Sequence, residues 1–127
     1  MVGKISGNLG SYLIMHRSNI LASAAPFSGG VDSPYKVPTS KIPVLLEWGG
    51  PTDYAGSYDF DAGNKDFSRR LKENGQFVID CIGTQGHNYP DDDNFMWHFL
   101  RDHPKDITSE PYRNGLPSDF PQNCRIA

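Results

Sequence analysis

Asp53 and His87 are the residues of this chain whose types and placement best suit joint chemistry. Asp53 closes the segment Trp48-Gly49-Gly50-Pro51-Thr52-Asp53, and His87 sits in Gly86-His87-Asn88-Tyr89-Pro90. Each segment is a Gly- and Pro-rich turn directly after a run that reads as a buried strand. A histidine on such a turn can take a proton from a nucleophile and return it to a leaving group. A carboxylate behind it holds the ring in one tautomer and stabilises the imidazolium that forms. Acid first and base second is the later part of a Ser…Asp…His order, so a serine nucleophile is expected upstream of Asp53.

Ser6 is the candidate for that nucleophile. A strand-to-helix nucleophile turn, G-x-S-x-G, needs small residues two before and two after the serine, because the turn is strained and crowded. Around Ser6 the chain reads Lys4-Ile5-Ser6-Gly7-Asn8, with Gly3 and Gly7 one residue out of phase. Ser11 and Ser28 fit no better, and Ser6 is preferred because a short apolar helix follows it. Backbone N–H groups near Gly7 are then the candidate oxyanion donors. Trp48 and Tyr54, on either side of the acid turn, are candidate substrate contacts. With Tyr58 they give a third option, a small sugar- or polymer-binding module, which has no distinctive pattern behind it. His16, His98 and His103 fall on helices or a helix end, where surface or packing roles are expected.

The elements that must position these residues follow from periodicity. Ser11–Arg17 reads as a short apolar helix and Ile20–Phe27 as a small, apolar strand. Ile42–Trp48 is near-continuously apolar, as expected of a strand covered on both faces. Ala62–Asn74 is a helix with Phe67 and Leu71 one turn apart, closed by Gly75. Gln76–Cys81 is a further strand, and Asp91–Asp102 an amphipathic helix whose three acids stand in its first turn, favoured by the helix dipole. Strands alternating with helices predict an α/β fold with a parallel sheet of about three strands. The chain reads as a single domain over 1–127, with 104–127 an irregular C-terminal tail.

Composition narrows the partners. The 127 residues allow one domain with a modest core, and 13 Gly with 10 Pro favour a turn-rich fold over a helical bundle. A net charge of -3 would not attract nucleic acid or an anionic membrane. No stretch is long and apolar enough for a membrane span, and Met1–Gly7 lacks the apolar core of a signal peptide. Asp59–Asn64 hints at a calcium loop, but its sixth position is Asn64 rather than Gly and its twelfth is Arg70 rather than Glu. Asp91–Asp93 reads as a solvated helix start, so no metal or organic cofactor is expected. Cys81 and Cys124 show no metal-ligand spacing. They are either two buried thiols or a disulfide tying the tail to the strand Gln76–Cys81.

Longer segments carry a resemblance. SYLIMHRS (11–18), ASAAPFSGG (22–30), PVLLEWGGPTD (43–53), GQFVIDC with GHNYP (75–81 and 86–90) and LPSDFPQNCRI (116–126) resemble, in order, the C-terminal portion of the polyhydroxybutyrate depolymerase and feruloyl-esterase-like branch of the α/β-hydrolases. The resemblance spans nearly all of the chain after residue 10. It implies a truncated or minimal α/β-hydrolase domain, with Asp53 as triad acid and His87 as base. It further implies a Cys81–Cys124 disulfide, a secreted parent protein, and small-molecule or polymeric carboxylic esters as substrates. The family's nucleophile turn lies just before the SYL helix, where this chain has the altered run Lys4–Gly10. The strands that the family places ahead of it are missing here, along with one of its oxyanion amides. The alternative expectation is a non-catalytic α/β fragment that pairs its open sheet edges with a second copy or another chain.

Overall fold

The computed structural model describes residues 4–31 and 33–127; the side chains of residues 4–7 lie outside the described part. Its central sheet is built from β1 (Lys4–Ser6), β2 (Ala25–Phe27), β3 (Val44–Trp48), β6 (Val78–Ile82) and β7 (Cys124–Ile126), in that spatial order. A two-stranded hairpin, β4 (Tyr54–Ala55) with β5 (Tyr58–Asp59), stands apart from it. Three helices, α1 (Gly7–Arg17), α2 (Phe60–Glu73) and α3 (Asn94–Asp102), complete the described elements. The chain is therefore an α/β protein with a mainly parallel sheet.

The core explains the strand patterns. In β3 all five residues are buried, yet they face two ways, as the two-residue pleat requires. Val44, Leu46 and Trp48 pack with Ile14 and Met15 of α1 and Phe67 and Leu71 of α2. Leu45 turns to the other face, among Phe95, Met96, Phe99 and Leu100 of α3 and Tyr112 and Phe120 of the tail. With helices on both faces, a strand gains nothing from alternating polar residues. β3 and β6 are paired over their whole length, from Val44↔Val78 to Trp48↔Ile82.

Several expectations are corrected. The sheet has four mutually parallel strands and an antiparallel fifth, against about three parallel strands expected. The additions are the three-residue strands β1 and β7, too short to show a period. α3 begins at Asn94, so Asp91–Asp93 precede the helix instead of filling its first turn. Asp92 instead accepts a hydrogen bond from the Asn94 amide at 3.0 Å. The tail 104–127 is irregular for most of its course, but it ends in β7, where Cys124 lies opposite Cys81 in register. The two form a disulfide, which resolves the open choice between thiols and a bond. His103 and Tyr112 hold the tail's first half: His103 meets Glu110, and the Tyr112 hydroxyl donates to Asp102 at 2.6 Å. Burial, reinforced by that carboxylate, keeps the Tyr112 phenol protonated far above its ordinary range.

Candidate functional site

The site follows from the strand order. In a parallel sheet all carboxyl ends face one way, and groups on the loops that leave those ends converge. Asp53 leaves β3 by way of a single 3-10 turn, Gly50–Thr52, while His87 leaves the adjacent strand β6 on the loop 83–90. A Gly–Gly crossing fixes one loop against the other. The Gly86 amide donates to the Gly49 carbonyl at 3.1 Å, and a Cβ on Gly49 would stand only 1.7 Å from the Gly86 carbonyl oxygen. Gly86 also has φ +66°, a conformation that side chains resist. Gly49 is therefore required by the approach of the acid loop to the base loop, and Gly86 by its backbone conformation.

The two side chains meet there. His87 Nδ1–H donates to Asp53 Oδ1 at 2.8 Å. The other carboxylate oxygen, Oδ2, accepts the Gly49 amide at 2.8 Å. The Asp53 side chain is 0% exposed and that of His87 39%. Burial with two hydrogen-bond donors suits an ionised carboxylate. The bond to Nδ1 fixes the tautomer in which Nε2 carries a lone pair, and Nε2 has no hydrogen-bond partner among the described residues. The Phe60 ring stacks on the imidazole, with centroids 4.3 Å apart and planes at 22°.

Ser6 is the last residue of β1, and α1 starts at the next residue, Gly7. The backbone of Ser6 thus stands at a strand-to-helix junction at the same end of the sheet as Asp53 and His87, with β2 and β3 between β1 and β6. Its side chain lies outside the described residues. Gly7 opens the helix, where the first amides have no partner within the helix. Ser11 is buried within α1. Ser28 follows β2 with φ +43°, and its buried hydroxyl has no hydrogen-bond partner among the described residues.

The aromatic expectations divide. Tyr54 is exposed on the hairpin beside Asp53, with its hydroxyl donating to Asp59 at 3.3 Å. Trp48 is 0% exposed, so its expected substrate contact is corrected to a core role. Its indole N–H donates to Asp61 at 2.7 Å. Partial burial works against ionisation of Asp61, but the hydrogen bonds from Lys65 and Trp48 outweigh it and hold the carboxyl below its usual range. The other histidines have local partners: His98 pairs with Asp119, and His16 stacks on Tyr12. Two features of the site escaped sequence reasoning. The β4–β5 hairpin was legible in Ala55-Gly56-Ser57-Tyr58, a two-residue Gly-Ser turn between aromatic strand residues. Phe60 was missed because its spacing of seven from Phe67 reads only as one apolar helix face and gives no sign of a contact with His87.

Among the described residues, no group of three or more His, Cys, Asp and Glu side chains could hold a metal ion, and no helix is long and apolar enough to cross a membrane. No family model matches the chain, and neither a curated protein nor a solved structure shows significant similarity to it.

Proposed function

We propose that the chain is a serine-type carboxylic ester hydrolase, built as a small α/β-hydrolase-like unit. The observation that carries this reading is the bond between a partly exposed imidazole and a fully buried carboxylate, made through Nδ1 so that Nε2 is left without a partner among the described residues. In the proposed reaction, His87 Nε2 takes the Ser6 hydroxyl proton as Oγ attacks the ester carbonyl carbon. Asp53 stays ionised and stabilises the imidazolium. The Gly7 amide, at the positive end of α1, donates to the developing oxyanion. The carbon–oxygen bond to the alcohol then breaks, and His87 returns the proton to the departing oxygen. Water, deprotonated by the same nitrogen, attacks the acyl carbon; the bond to Ser6 Oγ breaks and His87 returns the proton to that oxygen. Supporting this assignment, Ser6 stands at a strand-to-helix junction, the local structure that a nucleophile turn uses. The sequence resemblance favours polyester or hydroxycinnamoyl-ester substrates and a secreted parent.

A fluorophosphonate probe tests the nucleophile: it should label Ser6 in the wild type and not in His87→Ala. Hydrolysis of a p-nitrophenyl ester by the pure protein should be abolished by the same substitution. Unchanged hydrolysis in His87→Ala would sink the reading.

A second reading has its own observation. β1 is an edge of the sheet, and the neighbouring helix α1 exposes Leu9 and Tyr12. An open strand edge beside exposed apolar side chains suits pairing with a second copy or another chain. Light scattering decides this one, because a monomer at high concentration would remove self-pairing.

A further inference from the structure

The bond to Asp53 anchors His87 at a single point. An imidazole held only at Nδ1 can still swing about that hydrogen bond, and with 39% of its side chain exposed, solvent does little to stop it. Nε2 would then sweep an arc instead of addressing one position. The stacked Phe60 ring is the contact that removes this freedom.

Phe60 is itself held from several sides. It is buried, and it opens α2 directly after Asp59, whose side chain caps the helix by accepting the Ala62 amide at 3.0 Å. Its own amide donates to the Asp53 carbonyl at 3.0 Å. The Tyr58 ring leans on it with centroids 4.6 Å apart. Tyr58 in turn is fastened through its hydroxyl, which accepts the Val31 amide at 2.8 Å and meets the Val31 carbonyl at 3.3 Å. One residue is thus bonded through its backbone to the acid and stacked through its side chain on the base.

We propose that Phe60 is a positioning residue for His87: its ring face fixes the plane of the imidazole, so that Nε2 points steadily at the place where a reacting hydroxyl must come. The inference rests on the reading of His87 as general base. A displacement of about 1 Å in a reacting group can cost on the order of 100-fold in rate, so a loosened ring should be visible in turnover.

Two variants separate the flat face from simple bulk. Phe60→Leu keeps an apolar side chain but removes the face, whereas Phe60→Tyr keeps the face. With a p-nitrophenyl ester, Phe60→Leu should lower kcat roughly 10- to 100-fold with KM within about twofold, and Phe60→Tyr should stay near wild type. A second readout needs no substrate: the proton on His87 Nδ1, followed by NMR. It should give a protected resonance in the wild type and in Phe60→Tyr, and be lost to exchange in Phe60→Leu while the amide signals of β3 and β6 stay in place. Wild-type kcat in Phe60→Leu, or an equal loss in Phe60→Tyr, would overturn the proposal. If the wild type hydrolyses no ester, the proposed function fails alone. The resonance still decides for Phe60, since its persistence in Phe60→Leu overturns the positioning role and its loss upholds it.

Discussion

Two histidine–carboxylate pairs in this molecule are built with burial reversed. At the carboxyl end of the sheet, Asp53 is 0% exposed and His87 39%; at the tail, His103 is 0% exposed and Glu110 19%. The hydrogen bonds differ in the same sense. His87 uses one nitrogen on Asp53. His103 uses both, Nδ1 on the Phe99 carbonyl at 2.7 Å and Nε2 on Glu110 at 2.6 Å. A carbonyl only accepts, so Nδ1 donates to Phe99, and Nε2 is taken up by the Glu110 carboxyl, which leaves no nitrogen open to a reacting group. Burying the acid and exposing the base leaves a reactive atom; burying the base and saturating it makes a clasp.

Asp53→Asn probes that difference most severely. An amide that presents its N–H to Nδ1 selects the wrong tautomer, and ester turnover should fall roughly 10³- to 10⁴-fold with the fold intact by circular dichroism. Retained turnover would mean that the buried acid does not make His87 reactive. On the clasp side, Cys124→Ser opens a cross-link between residues separated by 43 positions. Loop-closure entropy puts that loss at about 4 kcal/mol, readable in urea unfolding. His103→Ala should cost about 2 kcal/mol by emptying a fully buried side-chain site and removing its bonds to Phe99 and Glu110, with activity per folded molecule unchanged. A fall in kcat for this variant would erase the contrast between the two pairs.

The smallest expected effect comes from Asp80, a buried carboxyl with no histidine partner. It lies on β6, and burial pushes its carboxyl above the usual range despite opposing help from Ser68, Arg125 and Lys72. A raised value means that the fold prefers the neutral form. Its contribution to stability is therefore complete in acid, below the ordinary aspartate range, and is lost as pH rises through the raised value. Asp80→Asn should raise Tm by about 3 °C at pH 7 and leave it unchanged near pH 3. A gain that persists in acid would assign the effect to packing instead of charge.

The parts of this fold legible in the sequence are those with a long repeating signal. β3, β6 and α2 bury a periodic set of side chains, and their registers place Asp53 and His87 at adjacent strand ends. β1 and β7 were invisible because three residues carry no period, and they pair only because the longer strands provide an edge. The start of α3 was misjudged because Asp91–Asp93 suit the approach to a helix as well as its first turn. Trp48 looked like a ligand contact beside the acid turn, but its place in the strand alternation sends it inward to Asp61. Phe60 was hidden for a different reason: stacking on His87 joins a helix start to a loop, and no local pattern encodes it.

The Gly49–Gly86 crossing bears on whether the pair can be transplanted. The geometry of Asp53 and His87 is set where two backbones touch, and it is independent of how many residues run between them through α2. Another parallel sheet could therefore host the pair if two adjacent strands, both glycines and Phe60 came with it, while the helix beyond Phe60 could be lengthened, shortened or exchanged. A single methyl group on Gly49 would undo what a change to the rest of that helix would leave in place.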